Sequence, residues 1–188
     1  MGTKSVYLSL NQCIFRLLFF FPLWMAIWWV LRDLQVEGFH ALSEILLGGF
    51  QSSEAWKVWI RGNDVVYQFQ NMAAGPGFSM DPLSLTRGLP LYLALMFSTQ
   101  KGLASWGPAL RGSAFILILA LFGYSVEAAL RLTEAHSAAE AFERSWISAA
   151  SVQITTKFMV TRIVPMGLWV WQQRRVIETL AYGSRSDP

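Results

Sequence analysis

Residues 80–99 read Met-Asp-Pro-Leu-Ser-Leu-Thr-Arg-Gly-Leu-Pro-Leu-Tyr-Leu-Ala-Leu-Met-Phe-Ser-Thr, and the fold turns on how this stretch is placed. Asp81-Pro82 has the form of a helix start. Asp can accept from the first free N–H groups, and Pro stands where its missing N–H costs nothing. The apolar run that follows is interrupted by Gly88 and Pro90. In water that pair would weaken a helix interior. In a membrane bundle neighbouring helices can satisfy the freed backbone groups, so the stretch predicts a helix packed among others.

The rest of the chain supports a membrane setting. Of its 188 residues 54% are hydrophobic and only 14% charged, against about a quarter charged in soluble domains. The mean hydropathy is +0.38. The net charge of +3 does not argue for nucleic acid, because the basic residues are scattered at the ends of apolar runs, where they orient helices in a bilayer. Cys13 is the single cysteine, so no internal disulfide can form. One cysteine and two distant histidines make no metal site, and no cofactor motif is present.

Working outward in both directions, residues 1–12 form a short polar N-terminus and residues 13–31 a first span of the length a crossing helix needs. Pro22 lies within that span. No small-residue cleavage site follows, which favours an uncleaved anchor over a signal peptide. Residues 32–82 are the one sizeable extramembrane segment. Phe39, Leu42, Leu46, Leu47 and Phe50 fall at helical spacing, with His40, Ser43 and Glu44 off the stripe. They predict an amphipathic helix on the bilayer surface, ended by Gly48-Gly49. Two β-rich runs, Trp56-Lys57-Val58-Trp59-Ile60 and Val65-Val66-Tyr67-Gln68-Phe69, flank a Gly-Asn turn and predict a hairpin. Residues 71–78, with Gly75-Pro76-Gly77, read as a loop. Residues 83–100 form a second span, 101–112 a loop, 113–130 a third span, 131–145 a loop, 146–171 a fourth span and 172–188 a tail.

The expected fold is therefore an all-α polytopic membrane protein. It has four transmembrane helices, with an amphipathic helix and a β-hairpin between the first two. Lys4, Arg16, Lys101, Arg111, Arg174, Arg175 and Arg185 fall on one side of this layout and most acids on the other. The positive-inside rule then puts both termini and the 101–112 loop in the cytoplasm and the hairpin segment outside.

Arg87, Glu127, Lys157 and Arg162 are the residues that cost most to place, at about 2.5–3.5 kcal/mol for a charge at the bilayer centre. They form a candidate intramembrane polar cluster. Gln153, Lys157 and Thr161 share a helix face, so Glu127 could meet Lys157 or Arg87. The competing arrangement pairs Glu127 with Arg131 one turn on, while Arg87 and Lys157 extend to the interface. Arg162 lies deeper and needs a partner in the chain, a partner subunit or a water-filled crevice. Trp56 and Trp59 in the hairpin, with Gly88 and Pro90 at the helix break, are candidate contacts for a partner. Catalytic motifs are missing: no Gly-x-Ser-x-Gly and no phosphate loop occurs. Cys13 lies on the opposite side of the layout from His40 and His136, beyond the reach a nucleophile and base require.

Several features recur in one order. They are the first helix with Pro22, the Trp-Ile-Arg-Gly-Asn hairpin at residues 59–63, and Asp81-Pro82-Leu83 leading into Gly88-Leu89-Pro90-Leu91-Tyr92-Leu93-Ala94-Leu95. The series ends with Ile163-Val164-Pro165-Met166-Gly167-Leu168-Trp169. This order resembles the exosortase H-associated membrane proteins. That family usually has Asn before the proline and a Tyr-rich stretch where Ser84-Leu85-Thr86-Arg87 stands here. The departure leaves a related family serving another membrane complex as the alternative. The resemblance implies a non-enzymatic accessory or structural subunit of a bacterial inner-membrane protein-sorting or envelope-assembly complex. Its expected partners are the lipid bilayer and a larger integral membrane protein, an exosortase or another complex subunit, and not nucleic acid. A subunit of an unrelated membrane machine, or a small transporter or enzyme component with a polar intramembrane site, is the competing function.

Overall fold

The computed structural model describes residues 10–49, 56–69, 77–99, 106–137 and 149–182. They are mostly helical, with one small sheet. Helix α1 (Leu10–Val30) contains Pro22 and continues on both sides of it. A single joint residue, Leu31, separates it from α2 (Arg32–Gly48), and the hydrogen bonds Leu31 N to Ile27 O and Gln35 N to Leu31 O carry the helical pattern across the joint. The end of α2 falls where Gly48-Gly49 predicts it, with the Gly49 N–H bonded back to Leu46 O.

The buried stripe of α2 keeps Phe39 and Leu47 of the expected set, with Leu42 and Leu46 partly buried beside it and Phe50 outside the described residues. It is Val36, Phe39, Ser43 and Leu47, a set at steps of three and four residues that turns Ser43 inward. This face packs against the sheet and against a long helix of the bundle.

Strands β1 (Trp56–Arg61) and β2 (Asp64–Phe69) pair as the expected hairpin, Trp56 opposite Phe69 and Ile60 opposite Val65. Gly62, with φ at +64°, supplies the first corner of the turn, a conformation open to glycine without steric penalty. Residues 77 and 78, expected in a loop, belong instead to a third strand, β3 (Gly77–Met80), which pairs with β2. It gives β2 a partner on its second edge, and a third strand is what a marginal hairpin needs. Residues directly opposite in an antiparallel pair share a face. Trp56, Val58, Ile60, Val65, Tyr67, Phe69, Phe78 and Met80 therefore line one side of the sheet; Trp56, Val65, Tyr67 and Met80 on it are buried, and Ile60 at its margin is exposed.

The stretch at residues 80–99 is divided. The Asp81 carboxylate accepts from Ser84 N at 3.2 Å and so caps a single turn, α3 (Leu83–Thr86). After Arg87 the chain restarts as α4 (Gly88–Thr99). Gly88 and Pro90 are thus not a break inside a helix. Pro90 occupies the first turn of α4, where its N–H would have no partner in any case. Helix α4 has 12 residues and rises about 18 Å, less than the ~30 Å of a bilayer core. It lies enclosed by its neighbours, with Tyr92, Ala94 and Met96 fully buried.

Helix α5 (Trp106–Ser137) runs past both ends of the expected third span. Residues 106–112 and 131–137, expected in loops, are helical, because Pro108 stands in the first turn and Ala, Leu and Arg favour the helix at both ends. Helix α6 (Ala149–Phe158), one π-helical turn at Met159–Ile163 and α7 (Val164–Tyr182) form a continuous rod. The helix therefore also enters the tail expected from residue 172. Pro165 explains the π turn. It has no N–H to give, its ring crowds the carbonyl one turn back, and the Val164 N–H reaches instead to Met159 O. Among the described residues two helical segments, Asn11–Val30 and Trp106–Thr133, are long and apolar enough to cross a membrane.

Candidate functional site

The polar groups concentrate where the cap, made of α2 and the sheet, meets α5. Three hydroxyls are buried there. Ser43 Oγ lies 2.9 Å from Tyr124 Oη and donates to Phe39 O at 2.7 Å, while Tyr67 Oη lies 3.3 Å from Tyr124 Oη. One turn of α5 beyond Tyr124, Glu127 is 2% exposed and accepts from Arg131 Nε at 3.1 Å. Arg131 also donates from Nη2 to Gln153 Oε1 of α6 at 3.1 Å. Its guanidinium stands 5.7 Å from the centre of the Phe78 ring, which stacks on Tyr67 at 4.6 Å. Arg131 therefore ties the sheet, α5 and α6 through one fork of donors. Burial pushes the Tyr67 phenol above its ordinary range, so it remains a neutral hydrogen-bonding group.

A second junction joins α1, α2 and α3. Thr86 is fully buried. It accepts from Trp28 Nε1 at 3.1 Å and donates to Gln35 Oε1 at 2.6 Å, while Gln35 Nε2 donates to Trp28 O at 3.3 Å. This closed ring fastens the joint between α1 and α2 to the end of α3.

The third junction involves Gly88. A Cβ built there would stand 2.6 Å from Val160 O and 2.8 Å from Pro165 Cγ. Val160 O has lost both helical donors, since Val164 N–H goes to Met159 O and Pro165 has none. The backbone of α4 approaches that exposed carbonyl closely, and only glycine leaves room for it.

The structure separates the candidate cluster. Arg87 is mostly exposed and, among the described residues, reaches Asp81 alone, Nη2 to Oδ2 at 3.7 Å. Glu127 pairs with Arg131. Lys157 is half-buried and near enough for its charge to act on Glu127. Arg162 is exposed on the π turn and makes no hydrogen bond or ion pair among the described residues. The candidate partner contacts also divide. Trp56 is buried edge-on against Phe69 at 5.4 Å, and Gly88 and Pro90 are buried within the chain's own packing. The shared sheet face and the close helix approach use these three internally. Trp59 remains half-exposed and lies on the other face of the sheet, opposite Val66.

Ser43, Tyr67, Tyr124, Gln35 and Thr86 were not singled out from sequence. A signal for Ser43 was present, since residues 36, 39, 43 and 47 form a helical stripe of their own. No local pattern marks the others, because their partners are more than fifty residues away.

The family model described as Exosortase H-associated membrane protein matches residues 8–176, and the chain belongs to that family. No curated protein and no solved structure matches it.

Proposed function

We propose, from that membership, that the protein is a non-enzymatic accessory subunit of a bacterial inner-membrane sorting or envelope-assembly complex, seated beside a larger integral membrane protein of the exosortase type. In this reading α1, α5 and the α6–α7 rod cross the bilayer, and α3 with α4 makes a shorter fourth crossing. The cap lies outside and both termini are cytoplasmic. The arrangement is supported by the apolar side chains left exposed along all three long elements, among them Phe15 and Phe19 on α1, Phe122 on α5 and Met166 on α7. Those surfaces suit lipid or another protein's helices.

The observation that carries the accessory role is Arg162. It lies 13 residues into the rod, about 20 Å from its start, among exposed Phe158, Met159, Ile163 and Met166. A cation there is costly against lipid and stable against a carboxylate on a neighbouring helix. The test is purification of the tagged chain from its native membrane in mild detergent, with mass spectrometry of what accompanies it. A larger membrane protein is expected with the wild type and is lost with Arg162→Met. Recovery of the wild-type chain alone, as a stable monomer, would overturn the reading. Four crossings are checked separately. Cysteines placed singly at Asn63 and Ala139 in a Cys13→Ala background should react with an impermeant maleimide added outside the cell, and ones placed at Lys101 and Ser184 should not; the reverse at Lys101 and Ala139 would leave two crossings.

A further inference from the structure

We propose that the end of the bundle opposite the cap binds a phosphate-bearing anion, with the headgroup of an anionic phospholipid as the source its position favours. The site is a pocket between α5 and α7 of about 360 Å³, lined by Pro108, Arg111, Trp171, Gln172 and Arg174. The placement of the lipid source rests on the reading of α5 as a membrane crossing. From Arg111 to Arg131 the helix advances 20 residues, about 30 Å, which is one hydrocarbon thickness. Since Arg131 sits at the cap junction, Arg111 falls at the other boundary. Trp171, 66% exposed, is the kind of side chain that settles at such a boundary.

The pocket is cationic and its charges are not consumed. Among the described residues no carboxylate lines it and neither arginine forms an ion pair. Arg111 Nε makes one long bond, 3.4 Å to Gly107 O, which leaves the terminal nitrogens of its guanidinium for a ligand. Arg174 is exposed and makes no hydrogen bond among the described residues. Two guanidinium groups from different helices can grip separate oxygens of one phosphate. The walls are held at a fixed spacing from below. The buried Tyr92 hydroxyl of α4 lies 3.0 Å from Pro108 O on α5 and 2.7 Å from Gln172 Oε1 on α7. Gln172, also in the lining, is held in place through this contact of its side-chain amide with Tyr92.

Purified full-length protein in a neutral detergent would be titrated with dioctanoyl phosphatidylglycerol and, in parallel, dioctanoyl phosphatidylcholine, with binding read by native mass spectrometry. The anionic lipid is expected to bind more tightly than the zwitterionic one. Arg111→Gln and Arg174→Gln should each weaken it roughly fivefold, and the double variant roughly 25-fold. The double Arg→Lys variant should keep most of the affinity, and Arg61→Gln in the cap should change nothing. Competition by millimolar inorganic phosphate would assign the site to the free ion, and resistance to it would assign the lipid headgroup. Equal binding of the two lipids, or full binding by a folded double Gln variant, would overturn the proposal. The titration needs neither a partner protein nor a bilayer. A chain that failed to fractionate with membranes, or that purified alone, would count against the proposed function and leave this result standing.

Discussion

Glu127 at the cap junction and Arg162 on the flank of the α6–α7 rod are both single charges in apolar helices, and the fold treats them oppositely. Glu127 is enclosed, and Arg131 one turn on supplies the countercharge while also gripping Gln153 and covering Phe78. Arg162 is turned outward by a π turn and has no partner among the described residues. A charge satisfied by its own chain acts as an internal tie. A charge left on an apolar flank is a handle for something else. The Trp28–Thr86–Gln35 ring is another tie of the first kind. In the proposed function Arg162 is the handle that a partner helix would take up.

The contrast can be broken most forcefully at Arg131. Replacing it by Met strands a buried carboxylate and should cost about 3–5 kcal/mol. Adding Glu127→Gln to the same background should recover a large part of that loss. Thermal unfolding in detergent would measure both, and a double variant as unstable as the single one would show that Glu127 is not held by charge pairing. Next in size is Gly88→Ala. Its Cβ would press on Val160 O, backbone that cannot rotate away, for about 1–3 kcal/mol of strain. Because this contact seats the π turn, the variant should also reduce recovery of the membrane partner. Tyr124→Phe removes the hydroxyl between Ser43 and Tyr67 and should cost about 1–2 kcal/mol, measured by the same unfolding. Arg162→Met is expected at the bottom of the stability series, within about 0.5 kcal/mol of wild type, and yet to lose the partner on purification. A large fall in the melting temperature for Arg162→Met would erase the distinction between tie and handle.

Much of the layout was legible locally. The end of α2 at Gly48-Gly49, the hairpin around Gly62-Asn63 and the Asp81 cap each depend on a few adjacent residues whose backbone preferences are strong. The third strand was not legible, because Gly77 ends the Gly-Pro-Gly run, and it and Phe78 gain their strand conformation only by pairing with Gln68 and Tyr67. The inward turn of Trp56 was not legible for a related reason. Alternation along a strand says which residues share a side, but only the register shows that both strands turn their aromatic sides the same way. In the candidate cluster, the i,i+4 relation of Glu127 and Arg131 could be read directly, whereas the separation of Arg87 and Arg162 from them could not.

The stretch at residues 80–99 shows where the boundary lies. By itself the sequence determined that a helix starts at Asp81, that an apolar helix follows and that it must be packed among others, since capping and hydropathy act through near neighbours. Tertiary structure alone decided that Gly88 and Pro90 begin a new helix rather than interrupt one. It also decided that Gly88 meets the Val160 carbonyl that Pro165 leaves without a helical donor. The physical reason is that an unsatisfied carbonyl and a missing side chain become complementary only once distant helices are brought within van der Waals contact.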